Sequence, residues 1–241
     1  KFNIKTRGRL FYIQKVIENA ANKICKHLMI STTTFSKFKV KYSYSSFLYH
    51  SIALSLKHTK PKKALFYFKK ALTLSKNNLI VKYDLCMHYI KLNNWNKGSQ
   101  ILMHLIASAK KLKFKYFVNF SNLTLVKTKL YIGKRKNVKD ILNKLKEYFD
   151  KTKRTLLLAR TYLLISEYFK STYNFEMALK YLDQTNKIIK NQLIQAYVAK
   201  EKGTIYYLKK ELSKARTNFS TAQKLFKSFK MKNEEIFIEN N

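Results

Sequence analysis

Glycine and proline are nearly missing: four glycines and one proline serve 241 residues. Sandwiches and barrels need these residues at their many turns, and a phosphate-cradling loop needs several glycines together, so both are excluded. Acidic residues are scarce as well. Thirteen Asp and Glu stand against 50 Lys and Arg, a formal charge of +37, and no ordinary cytosolic enzyme is built that way. A polyanionic partner is expected. Two cysteines, Cys25 and Cys86, lie far apart and carry no disulfide pattern, so they read as reduced, buried small hydrophobes. Long hydrophobic runs are missing too. The stretch 156–169 is interrupted by Arg160 and Glu167, and nothing approaches the roughly 20 residues a membrane span needs.

What is present points to packed helices. Hydrophobic residues make up 46% of the chain, which places it among folded proteins despite its charge. Six of the basic residues are Arg and the rest Lys, while Asn, Ile, Phe and Tyr are abundant, a composition expected of an AT-rich genome. Codon bias accounts for Lys over Arg but not for the shortage of Asp and Glu, whose codons are nearly as AT-rich. The basic character is therefore read as selected for phosphate binding.

The chain divides into three parts. Residues 1–46 form a basic N-terminal helix and arm. Leu10, Ile13, Ile17, Ala20, Ala21, Ile24 and Leu28 recur at helical spacing, and the following Ser, Thr and Lys-Tyr stretch reads as a linker. Glu18 is the only acid in the first 40 residues, as in organelle targeting segments and in extensions that thread into RNA. Residues 47–230 carry helical patterns without a strand signal. Residues 231–241 reverse the charge with Glu234, Glu235 and Glu239, and read as a frayed cap or a tail docked on a basic neighbour.

Self-similarity organises the middle part. Gly203, Tyr206, Ala215, Phe219 and Ala222 place small and aromatic residues alternately at offsets 0, 3, 12, 16 and 19. Small residues let two antiparallel helices approach, and the aromatics fill the space around them. The same offsets select Cys86, Tyr89, Gly98, Leu102 and Leu105, and again Ser166, Phe169, Ala178, Leu182 and Thr185. Ala64, Phe68 and Ala71 reproduce the second-helix half, with Thr59 or Lys60 as cap and Pro61 in the first turn. Its first helix, near Ala53 and Leu56, runs one residue short. A fifth unit, Val126, Val138, Leu142 and Leu145, has Lys129 in its aromatic slot and is expected to be distorted.

These slots resemble the tetratricopeptide repeat (TPR). The resemblance covers Phe47 to Phe229 in four to five repeats and implies an all-α fold: a right-handed superhelical array of TPR-like helical hairpins, an α-solenoid, preceded by the basic helix and arm. Successive second-helix anchors Ala64, Gly98, Val138, Ala178 and Ala215 are unevenly spaced, which argues against a pentatricopeptide array reading one base per regular repeat.

No catalytic constellation is found, so no enzyme, no cofactor and no small-molecule substrate are expected. His50, His58, His88 and His104 are scattered, and Asp84 with His88 reads as a surface or capping pair. The repeated Cys-x-His spacing at Cys25 and Cys86 does not match structural zinc sites, and no metal is assigned. The positive signal is cationic: Lys5, Arg7 and Arg9 in the arm; Lys57, Lys60, Lys62, Lys63, Lys69 and Lys70; Lys110, Lys111, Lys113 and Lys115; Lys134, Arg135, Lys136 and Lys139; Lys151, Lys153 and Arg154. These are expected to line one edge of a solenoid and follow a phosphate backbone. Tyr42, Tyr44 and Tyr49 are candidates for base stacking or a protein interface.

Charge and composition together imply a structural, rRNA-binding component of a mitochondrial ribosome in the matrix, with rRNA and neighbouring ribosomal proteins as partners. Two other readings stand beside it. One is a TPR adaptor for protein partners, although the family's carboxylate clamp is not matched: Lys200 fits its lysine position but Thr204 takes the asparagine position, and Tyr83 with Met87 fits neither. The other is an accessory subunit of a different organellar complex, without RNA, attracted to anionic lipid.

Overall fold

The structure, a computed structural model, describes residues 44–228. The N-terminal helix and arm, with Lys5, Arg7, Arg9, Cys25 and Tyr42, and the tail from Met231 lie outside the described residues. Ten α-helices and no strand are found among the described residues: α1 (Tyr44–Leu56), α2 (Pro61–Leu74), α3 (Leu79–Lys91), α4 (Trp95–Lys111), α5 (Lys115–Tyr131), α6 (Val138–Lys151), α7 (Thr155–Ser171), α8 (Phe175–Ile188), α9 (Gln192–Leu208) and α10 (Leu212–Ser228). They pair as five hairpins, α1/α2 through α9/α10, each packed on the next. First helices of later hairpins touch directly, α5 on α7 and α7 on α9, which places them on the inner side of the array.

The anchors read from sequence lie where the helices cross. Ala53, Cys86, Val126, Ser166 and Gly203 are buried on the first helices, and Ala64, Gly98, Val138, Ala178 and Ala215 on the second. At Gly203 the approach is closest: a Cβ there would stand 2.6 Å from the Phe219 ring. Asparagine, abundant in this composition, caps four helices. Asn78, Asn94, Asn174 and Asn191 each accept from a backbone N–H in the following turn. Lys60 precedes Pro61 at the start of α2 without a side-chain cap.

One boundary differs from expectation. The first helix opens at Tyr44 rather than Phe47, because Ser46 is buried and its hydroxyl donates to the Ala71 carbonyl at 2.8 Å. A serine tied to a neighbouring helix leaves no apolar periodicity to read. The long repeat intervals arise from 17-residue helices at α4, α5, α7 and α9, against 13 and 14 residues in α3 and α2. In the third hairpin Lys129 turns its ammonium outward to the Lys136 carbonyl at 3.1 Å, and α5 meets α4 more extensively than its own partner α6. Phe149, Leu142 and Leu145 rebuild the core there, joined to Leu157 and Leu158 of the next hairpin.

Six helices end in one turn geometry. Asn93, Lys113, Gly133, Lys153, Tyr173 and Lys210 have left-handed backbones with φ between 52° and 72°. In each, the N–H of that residue reaches the carbonyl three residues back and the next N–H reaches five back, as Lys113 to Lys110 (2.9 Å) and Phe114 to Ala109 (3.0 Å). This Schellman ending satisfies carbonyls that the helix leaves open, and glycine is its favoured residue. A glycine-poor chain fills five of the six positions with other residues; Asn93 tolerates this conformation, whereas the three lysines and the tyrosine resist it. Lys113→Gly, Lys153→Gly and Lys210→Gly are each expected to stabilise the fold by about 0.5–1 kcal/mol, the relief of strain being partly offset by a looser unfolded chain. Urea unfolding midpoints check this; three unchanged or lowered midpoints would contradict the turn assignment.

Candidate binding surface

The inner helices are linked by a ladder of polar contacts. His50 Nε2 lies 2.8 Å from Asp84 Oδ2, bridging α1 and α3. Tyr83 and Thr124 join their hydroxyls at 3.1 Å between α3 and α5. Lys170 of α7 pairs with Glu201 of α9. Glu167, half-buried between these, has its carboxyl pushed up by burial and by the Glu201 charge, while Lys170 and Lys127 oppose the shift. Asp84, Thr124 and Glu201 share one register, two residues before the small anchors Cys86, Val126 and Gly203. That register is the signal that would have located the ladder from sequence.

The histidines that look scattered are partly brought together. His50, His58 and His88 surround one corner of α1, α2 and α3, where a cavity of about 190 Å³ is lined by Lys57, His58, Asp84, His88 and Lys91. Asp84 bonds His50 and not His88, whose Nε2 meets the Pro61 carbonyl at 2.9 Å. Residues four apart on one helix lost here to a partner on the neighbouring hairpin. Cys86 donates its thiol to the Gly98 carbonyl at 3.3 Å, away from His88, and burial pushes that thiol's pKa up to about 12. It stays protonated and unreactive at neutral pH.

The basic clusters fall on two opposite edges, because successive turns of an antiparallel array alternate between its ends. Lys57, Lys60, Lys62 and Lys63 surround the turn inside the first hairpin, and Lys134, Arg135, Lys136 and Lys139 the turn inside the third. Lys110, Lys111, Lys113 and Lys115, with Lys151, Lys153 and Arg154, surround turns between hairpins, at the other end. Lys69 and Lys70 lie along α2, and Lys70 rests 4.4 Å above the Tyr49 ring. The single edge expected from sequence is therefore two.

Tyr49 is not an open platform either. It stacks on Tyr67 at 6.0 Å within the first hairpin. Between α2, α3 and α4 runs a groove of about 480 Å³ lined by Leu72, Lys82, Ile101, His104, Ala107, Ser108 and Lys111. Burial lowers the Lys82 ammonium pKa, and no carboxylate lines this groove.

A tetratricopeptide-repeat family model matches residues 55–114, from the end of α1 to the turn after α4. No curated protein matches the chain. Solved structures align over 78% of the chain. A putative kinesin light chain with nearly identical TPR-like repeats, from Podosopora anserina, is 12% identical with a TM-score of 0.60, covering 78% of this chain and 98% of that one. MamA from Desulfovibrio magneticus RS-1, residue 41 to its end, is 14% identical with a TM-score of 0.57 and the same coverage. The fold is that of a TPR-like helical-repeat array.

The TPR-like array carries its polar ladder on the first helices of its hairpins, and the clamp positions are occupied differently. Thr204 donates its hydroxyl to the Lys200 carbonyl at 3.1 Å, one turn back on its own helix. The charge of Glu167 makes stability depend on pH. Its raised pKa means that its contribution to stability is full below the unfolded value near about 4.3 and is lost as pH rises through the folded value. Glu167→Gln is expected to raise the melting temperature at pH 7, with the gain fading below about pH 4. Equal melting differences at both pH values would contradict the burial account.

Proposed function

We propose that the chain is a non-catalytic scaffold, an adaptor that holds protein partners on the surfaces of its TPR-like array. The observation that supports this best is the array itself: five hairpins in series present extended faces, and repeat solenoids use such faces for binding. Its charge selects acidic partner surfaces. Asp84 is the only acid between Tyr44 and Tyr131, and His50 already engages it.

A second, finer reading is favoured by the same charge: a component of a mitochondrial ribosome that docks on rRNA through Lys57, Lys60, Lys62 and Lys63 together with the cluster at 134–139, or through the cluster at 110–115 on the opposite edge. Lysine in such excess over arginine suits sequence-independent attraction to phosphates. Neutralising six phosphates would cost about 300-fold in affinity between 50 and 200 mM salt.

Gradient sedimentation of the native protein from an organelle lysate, with and without ribonuclease, separates the two. A particle that survives ribonuclease and dissociates for Lys62→Glu/Lys63→Glu/Lys69→Glu/Lys70→Glu supports the adaptor. Co-migration with rRNA that ribonuclease abolishes supports the ribosomal reading instead. Sedimentation as a free chain in both conditions contradicts both.

A further inference from the structure

We infer that the edge formed by the turns inside the second, third and fourth hairpins is a binding site for single-stranded nucleic acid, built from exposed tyrosines between basic residues. This does not rest on the adaptor reading, which concerns helical faces and protein partners.

Three observations converge on this edge. Trp95, which opens α4, stacks on Tyr131, which closes α5, with ring centroids 3.8 Å apart and 23° between planes. Tyr131 is nevertheless 62% exposed, so the indole backs a ring that still faces water. Tyr173, in the turn inside the next hairpin, is 79% exposed, the largest value among the exposed large hydrophobic residues of the described chain. It also holds a left-handed backbone, φ 59°, where asparagine or glycine is at ease and a tyrosine is not. Packing gives no reason for an aromatic side chain there; its only ring contact is an edge approach to Phe175 at 6.2 Å.

Between the two tyrosines lies the loop carrying Lys134, Arg135 and Lys136, all exposed. The loop is held in place. Arg135 Nε donates to Ser171 Oγ at 3.1 Å, two residues before Tyr173, and Lys129 Nζ donates to the Lys136 carbonyl at 3.1 Å. Asp140 and Glu176 stand in the first turns of α6 and α8, against positive helix ends, and leave the cations in excess.

Rings presented beside fixed cations match the two halves of a nucleotide. Bases stack on tyrosine faces whatever their identity, and the ammonium and guanidinium groups meet the phosphates. A duplex hides its base faces in its own stack, so the site takes unpaired strands. Ring stacking and phosphate contacts carry no sequence information of their own, so little sequence preference is expected from them. An acidic peptide would satisfy the cations but leaves the tyrosine rings without flat partners.

The test uses the full chain with a fluorescein-labelled 20-residue oligo(U), followed by anisotropy and by emission of Trp95, the chain's only tryptophan. Binding should quench Trp95 and weaken by about 20-fold between 50 and 200 mM salt if three phosphates are neutralised. Tyr173→Asn should weaken binding by about 5- to 150-fold without lowering the melting temperature, since asparagine suits the turn, whereas Tyr173→Phe should retain it. Lys134→Glu/Arg135→Glu/Lys136→Glu should cost far more than the equal charge change Lys110→Glu/Lys111→Glu/Lys113→Glu on the opposite edge. A second arm with oligo(dT) tells RNA from DNA as the better strand. Unchanged binding by Tyr173→Asn, equal losses in the two triple variants, equal affinity for an RNA duplex, or displacement by poly-glutamate of equal charge would each overturn the site.

Discussion

How closely the two helices of a hairpin approach decides the rest of the array. A small residue on the first helix faces the second, and Gly203 shows the limit, since one added carbon would stand 2.6 Å from the Phe219 ring. Helices this close bury continuous cores between them. Ala196, Ala199, Ala215, Phe219, Ala222 and Phe226 form one such cluster, and Ala159, Ala178, Leu182, Ile194, Val198 and Ile205 carry the contact to the neighbouring hairpin. Each hairpin is then a unit that needs its neighbours, and stability adds along the chain by nearest contacts. Where the slot rule fails, at Lys129, the third hairpin opens and its core is shared with the hairpin that follows.

That geometry also distributes charge. Turns alternate between two ends of the array, so lysine clusters consecutive in sequence are separated in space. Distant ones share an end, as do 57–63 and 134–139. A polyanion following one edge would meet every second cluster. The inner helices behave otherwise: polar groups there engage one another, His50 with Asp84 and Lys170 with Glu201, and hold the hairpins in register.

Much of this was legible in sequence because it depends on local spacing. The offsets at Gly203 and at Cys86 report helix crossings directly, and Lys129 announced the irregular hairpin. Contacts that depend on the pitch of the array were not legible. Asp84 looks equally placed for His88 four residues on, and only the neighbouring hairpin shows that His50 takes it. Trp95 and Tyr131 lie far apart in sequence and meet because one helix begins where another ends. Tyr49 was a reasonable stacking candidate until Tyr67 covered it. The left-handed lysines carried no signal, since glycine usually marks such turns and this chain has few.

The close crossing is open to a direct test by a double-mutant cycle on Gly203 and Phe219, read by urea unfolding. Gly203→Ala is expected to cost about 1–3 kcal/mol by overpacking. Phe219→Leu, which removes ring atoms facing the new methyl, should recover about 1 kcal/mol of that cost in the double variant, a coupling seen only between residues in contact. A neutral Gly203→Ala with strictly additive effects would show that the helices do not meet there, and would contradict the account of the array.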